Sequence, residues 1–343
     1  MNLTDHCIQL ARLSRLDERP LAVDAFIEVP KGDEEAVVRW LREHFPEHSG
    51  GYLPGYCSFH PPERLLLREA INPRRLVEQE YLPGLVVEHA KISSAKEWHI
   101  ALLHPTDGLP IAADSTARAG LLMGVSWSSI RDTQQLLRKW GIRPRRLEVG
   151  TVTLLGGLGR SLSLNGYPHA LVVCEIAYSQ TRIYLLGKDG VHTPPSLPHG
   201  LLSIEEAAMK ELGAPDVATA RRQLEEPSDD LRNHSRRLVR MLSRHLRPAV
   251  DYFEMQTGQR IGALFCAQLP TRLGWIEQAL CVAVDLEHFA PDFAAWLPAV
   301  GLQNVDGTFP GHSWFQSLSL IAQLTPGVAT PSIAAGPAHE QKS

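Results

Sequence analysis

Between Leu246 and Leu280 a helix, a strand, a tight loop and a second helix follow in quick succession, reading LRPAVDYFEMQTGQRIGALFCAQLPTRLGWIEQAL. Thr257-Gly258 closes the first helix, Ile261–Phe265 is an apolar run of strand length, and Trp275–Leu280 opens the next helix. A buried strand that passes through a loop into a helix is where α/β proteins hold nucleotides, because free backbone N–H groups there face the ligand. Such loops use glycine, so that the backbone can approach a phosphate or an adenine closely. This loop instead holds Cys266-Ala267-Gln268. The architecture of a nucleotide site is expected here without the residues that make one work.

The chain around this unit has 343 residues, 44% of them hydrophobic, enough for a large core shared between two lobes. Its 34 Lys+Arg against 38 Asp+Glu leave a net charge of −4, which argues against broad electrostatic binding to nucleic acid. The cysteines (Cys7, Cys57, Cys174, Cys266 and Cys281) are odd in number and form no C-x-x-C. That usage suits a reduced, cytoplasmic protein and not a disulfide or zinc framework. No segment approaches the roughly 20 apolar residues of a membrane span. Asp5, His6, Arg12 and Arg15 interrupt the apolar stretch that a signal peptide needs. A soluble cytoplasmic protein is expected.

A first αβ unit covers residues 1–68, with strands at Ile8–Leu13 and Leu21–Val29 and a helix between Asp33 and Phe45, capped by Asp33. His44 and His48 flank Pro46, which breaks the helix that would align them, so they do not read as metal ligands. Residues 69–127 read as an inserted module with an Arg/Glu-rich helix over Asn72–Tyr81 and strands at Trp98–Leu103 and Leu121–Trp127. The first lobe resumes over 128–165. A helix there is capped by Ser128 and ended by Gly141, and a second begins at Thr151. Gly156-Gly157-Leu158-Gly159 lacks the Lys-Ser/Thr of a phosphate loop and reads as a helix end.

The second lobe covers 166–324. It opens with strands Leu171–Ile176 and Thr181–Leu186 and a hairpin at Gly187-Lys188-Asp189-Gly190. Helices follow near Ile204–Leu212, Ala218–Glu225 and Asp229–Glu254, and a last one lies at Ser313–Leu324. Arg236, Arg240, Arg244 and Arg247 read as a solvated face of the long helix. The tail 325–343 has the composition of a disordered segment.

Two β–loop–β starts, at Leu3–Leu13 and Val172–Leu186, thus open two lobes. Three stretches in order, Gly120–Leu155, His199–Glu226 and Leu246–Leu280, with the terminal Ser313–Leu324, resemble the PilM family of type IV pilus assembly. The cell-division protein FtsA is a more distant likeness, and the resemblance runs to about Leu324. It implies an α/β actin-like ATPase fold: two lobes, each a mixed sheet flanked by helices, with a small inserted subdomain in the first. It also implies where ATP and Mg²⁺ would sit. The family's first phosphate loop, Asp-Ile-Gly-Ser-Ser-Ser, falls on Asn2-Leu3-Thr4-Asp5-His6-Cys7. The second, Asp-Ile-Gly-Ala-x-x-Thr, falls on Glu175-Ile176-Ala177-Tyr178-Ser179-Gln180-Thr181, and the adenosine Gly-Gly-Gly falls on Cys266-Ala267-Gln268.

Every one of these loops departs from the pattern. Asn2 replaces a carboxylate, Thr4 is expected to intrude on the β-phosphate, and Asp5 sets a negative charge beside a polyanion. At ~4 Å and an effective dielectric of about 20 that repulsion is on the order of 4 kcal/mol before screening. His6 is expected at the surface. Glu175 alone keeps a carboxylate that could serve Mg²⁺, while Ala177 and Tyr178 add bulk where backbone must touch phosphate. Met1 falls inside the first strand, which suggests a true start further upstream.

The reading that follows is a non-catalytic scaffold without a bound cofactor, cytoplasmic and peripheral to the inner membrane. Its partner is the cytoplasmic tail of a PilN-like inner-membrane protein, bound by the first lobe and inserted subdomain over residues 60–130. No nucleic acid and no direct membrane insertion are expected, and oligomerisation stays open. The alternative is an active ATPase in which Glu175 orders Mg²⁺ and Ser179, Gln180 and Thr181 hold phosphate. A sugar or acetate kinase would need a catalytic carboxylate in an acceptor pocket, and only Asp5 and Glu175 face the cleft.

Overall fold

The computed structural model describes residues 1–14, 20–46, 50–304 and 311–324. His48 and the tail 325–343 lie outside them. Two sheets repeat one topology. In the first, strands Leu21–Pro30, Cys7–Ser14 and Asn2–Leu3 pair antiparallel, and Leu53–Phe59 and Ile142–Val149 continue the sheet in parallel. In the second, Gly190–His192, Thr181–Gly187 and Ala170–Ile176 pair antiparallel, and Ile261–Ala267 and Glu287–His288 continue in parallel. Leu302–Asn304 returns from the second lobe and adds a parallel edge strand to the first sheet, against Leu21–Val23.

Strand Ala170–Ile176 is buried along its whole length, as an unbroken apolar run dictates. The two-residue period then sorts its side chains. Val172, Cys174 and Ile176 pack on the helices of the second lobe, among them Ile204, Leu242 and Ile276. Leu171 and Val173 face the first lobe, where they join Leu154, Leu158 and Phe315 in a core that both lobes share. Glu175 is next in that second series, so strand register alone turns its carboxylate toward the first lobe.

The small third sheet, Leu65–Ala70, Ala119–Ser126 and Trp98–Leu103, begins four residues before the module expected over 69–127. Several local expectations change. Asn72–Tyr81 is not one helix: Pro73–Val77 forms a 3₁₀ turn, and the α-helix is Tyr81–Ala90. The cap of helix Trp127–Lys139 is Ser126, whose hydroxyl accepts from the Ser129 amide, and not Ser128. The long helix divides at Val239 into Asp229–Leu238 and Arg240–Thr257.

Gly156–Gly159 lies inside helix Gly150–Leu164 and does not end it. A Cβ on Gly157 would come 2.1 Å from the Ser319 hydroxyl, so that glycine permits close packing on the last helix, Phe315–Ala322. His44 stacks on Trp40 within its own helix, with ring centroids 4.3 Å apart. No described helix is long and apolar enough to cross a membrane.

Candidate functional site: a cleft closed by an ion pair

The first loop is a tight turn between Asn2–Leu3 and Cys7–Ser14. Thr4 does not intrude on the cleft. Its hydroxyl folds back into the turn, donating to the Cys7 carbonyl at 2.8 Å and accepting from the amides of Cys7 at 2.9 Å and His6 at 3.2 Å. Ser and Thr side chains favour turns for this reason. Asn2 is buried, donating to Gln9 Oε1 at 3.3 Å and accepting from the Ser58 hydroxyl at 2.8 Å. Asp5 stands 3.7 Å from Lys31.

His6 is not a free surface residue. Its Nε2 lies 2.8 Å from the carbonyl of Ile176, in the second loop, and burial pushes the ring below the usual histidine range. The imidazole is therefore neutral, and its N–H donates across the gap that would separate two phosphate loops.

In the second loop Ala177 is buried and its amide donates to the Gln180 carbonyl at 2.9 Å. The Thr181 hydroxyl donates to the His199 carbonyl at 2.8 Å. Tyr178 and Ser179 turn toward solvent, with the Arg221 guanidinium 5.5 Å above the Tyr178 ring. Cys266 and Ala267 belong to the strand, so only Gln268 forms the third loop. Its φ of 67° is the left-handed conformation that favours glycine. The backbone turn survives, and a buried glutamine fills it.

Glu175 is fully buried, and the first lobe takes hold of its carboxylate. Arg64, from the loop after Leu53–Phe59, pairs with Oε2 through Nη2. Thr151, at the start of helix Gly150–Leu164, donates to Oε1 at 2.8 Å and accepts from Arg64 Nε at 2.9 Å. Tyr184 Oη adds a bond at 3.3 Å from the second lobe. Burial pushes the Glu175 carboxyl up, but Arg64 and Thr151 outweigh it and hold it below the usual carboxylate range.

His60 stands 3.7 Å from the same carboxylate without forming an ion pair, because burial drives its pKa from 6.5 to about 3. It is a neutral ring flanked by Gln268 at Nδ1 and Gln316 at Nε2. A Cβ on Gly150 would meet His60 at 2.1 Å, so glycine at the head of that helix leaves the room His60 occupies.

Of the expected site residues, the structure ties His6 to Ile176, Glu175 to Arg64 and Thr151, and Gln268 to His60 across the lobes, and Gln316 also contacts His60. Asn2, Thr4, Ala177 and Thr181 bond within their own lobes. Reading loop by loop missed Arg64, His60, Thr151 and Gln316. The signal for Arg64 was its place in His60-Pro61-Pro62-Glu63-Arg64, the connection that leaves the first sheet over the cleft.

No protein-family model matches the chain, and no curated protein matches it. Solved structures do. A chain of a PilM–PilN type IV pilus biogenesis complex matches with a TM-score of 0.69 at 16% identity, over 94% of this chain and 97% of that one. The chain has the actin-like ATPase fold. More distant matches are a Bacteroides thetaiotaomicron protein with an actin-like ATPase fold and unknown function, and the ethanolamine utilization protein EutJ from Carboxydothermus hydrogenoformans. The first has a TM-score of 0.44 and 8% identity over 94% and 93% of the two chains, the second 0.46 and 11% over 94% and 88%. The likeness to PilM drawn from the sequence holds at the level of the fold.

Proposed function

We propose that this protein is a non-catalytic, PilM-like scaffold of a type IV pilus or related secretion machine, in which the nucleotide cleft has become an interlobe lock. The observation that carries this reading is the state of Glu175. A carboxylate that orders Mg²⁺ must offer its oxygens to the ion or to the ion's water shell. Here both oxygens are buried and bonded, to Arg64 and Thr151. An ATP–Mg²⁺ complex would have to strip Arg64 from Glu175 and part His6 from Ile176 before it could enter.

The partner reading is supported by the fold. A chain with this architecture has been solved in complex with PilN, and this molecule has a groove where a peptide tail could lie. It measures about 400 Å³ between the inserted sheet and helices Gly150–Leu164 and Phe315–Ala322, with Leu66, Leu103, Leu121, Leu155 and Trp296 in its lining. We assign the cytoplasmic tail of a PilN-like inner-membrane protein to it, which would hold the scaffold at the membrane.

Calorimetry with Mg²⁺-ATP and a hydrolysis-resistant analogue, up to millimolar concentration, is expected to give no heat and no shift in Tm. Co-purification with a membrane-anchored pilus component, lost in a Leu103→Glu variant that circular dichroism shows to be folded, is the positive arm. Micromolar nucleotide binding would overturn the closed cleft. The alternative, an ATPase with unconventional loops, has the surviving left-handed turn at Gln268 in its favour. Turnover abolished by Glu175→Ala would establish it.

A further inference from the structure

Away from the Glu175 cluster, three metal-ligating side chains from distant parts of the chain converge on one point. Glu277 is in helix Trp275–Val284, His288 in edge strand Glu287–His288, and His312 in the 3₁₀ turn that leads into the last helix. His288 Nε2 lies 3.2 Å and His312 Nε2 2.9 Å from the same oxygen, Glu277 Oε2, and the three donor atoms all fall within 4.8 Å of one another. Ligands of a tetrahedral zinc ion with bonds of about 2.0–2.1 Å are about 3.3 Å apart, so two of the three edges already have nearly that length.

The surroundings hold the carboxylate in place between the two imidazoles. The Cys266 amide donates to Glu277 Oε1 at 2.6 Å, which fixes the carboxylate, and His312 Nε2 lies within 3.1 Å of that oxygen as well as 2.9 Å from Oε2. Phe265 packs against the His312 ring with centroids 4.5 Å apart, and the two imidazoles lie 4.9 Å apart. His288 is partly exposed, which gives an ion its entry path and a water its place as fourth ligand.

We propose that Glu277, His288 and His312 form a zinc site that clasps the two lobes. Glu277 and His288 belong to the second lobe. His312 precedes the helix that packs on Gly150–Leu164, in the chain segment that has already returned to the first sheet at Leu302–Asn304. Two imidazoles and one carboxylate suit Zn²⁺, which would take the Nε2 lone pair of each ring with the ring proton carried on Nδ1. Binding ties the lobes together independently of any nucleotide.

The test uses the tag-free full chain, stripped with a chelator and titrated with Zn²⁺ by calorimetry and with Co²⁺ by visible absorption. One ion per chain is expected, with the intense visible bands of tetrahedral Co²⁺ and a raised Tm. His288→Ala, at an exposed edge, and His312→Ala should each lower affinity by more than about tenfold, and Glu277→Gln should do the same. Circular dichroism would establish that each variant is folded. No saturable uptake at micromolar ion would overturn the proposal. So would undiminished uptake by folded His288→Ala and His312→Ala, or Co²⁺ bands of thiolate ligation that persist in them.

Discussion

Asn2 and Glu175 hold the same place in two sheets of the same topology. Each stands second from the end of its strand, facing Gln9 and Ser58 in one sheet and Arg182 and Ala267 in the other. Both are buried. The amide of Asn2 is satisfied by a hydroxyl and an amide of its own sheet. A buried carboxylate needs a cation, and among the described residues the guanidinium that forms an ion pair with Glu175 is Arg64, across the cleft. The neutral residue stabilises its own lobe, whereas the charged one couples two lobes. Where the charge lies decides where the molecule is held shut.

The largest effect should come from breaking that pair on one side. Arg64→Met leaves Glu175 buried without a cation and is expected to cost ~3–5 kcal/mol of unfolding free energy. Adding Glu175→Gln removes the orphaned charge and should restore most of the loss, since a buried pair often contributes little beyond its neutral replacement. Urea unfolding of the wild type, the two single variants and the double variant closes the cycle. Independent, additive losses would mean that the two side chains do not act as a unit.

Acid sharpens the contrast between the two positions. The folded His60 has a pKa of about 3 against an ordinary 6.5, so between these values the unfolded chain binds a proton that the folded chain refuses. Stability is then complete above pH 6.5 and falls on acidification, by up to ~1.4 kcal/mol per pH unit for one proton. Glu175, whose pKa is lowered, adds a loss below its ordinary 4.5 as pH falls through its folded value. Asn2→Asp should behave with the opposite sign. A carboxylate placed there meets an amide and a hydroxyl in place of a guanidinium, so it costs ~2–4 kcal/mol at pH 7. Its pKa rises, so the gap to wild type narrows as pH falls. Chemical denaturation from pH 8 to pH 4 checks both signs, and a gap that widened in acid would mean that position 2 has a cation within reach.

Much of this was legible in the residues, and what was not has a physical reason. The duplicated β–loop–β starts, the fully apolar Leu171–Ile176 and the glycine stop at Gly258 mark the architecture, because local periodicity and backbone freedom carry that information. The list of altered loop positions was also readable. The pairing was not. Arg64 and Glu175 are 111 residues apart, His60 and Gln268 are 208 apart, and each residue alone looks like an ordinary surface or loop side chain. The place of His6 is illegible for the same reason, since its partner is the main-chain carbonyl of Ile176, which leaves no trace in side-chain identity. The boundary at Val239, within an otherwise continuous apolar stripe, likewise depends on packing and not on a breaker residue.

The smallest expected effect concerns His6, and it tests whether charge, and not contact, holds the cleft. His6→Ala removes one neutral hydrogen bond between the two loops, worth about 1 kcal/mol. It leaves the Glu175–Arg64 pair intact, so global stability should change little. Local opening should become easier, read as faster amide exchange in the two loops with core exchange unchanged. A global loss as large as that of Arg64→Met would reverse the argument. The loop contact would then be the lock, and the ion pair would be a consequence of a cleft already shut. A local effect alone leaves Glu175 as the group on which closure depends, because a neutral imidazole can be released to water cheaply and a buried carboxylate cannot.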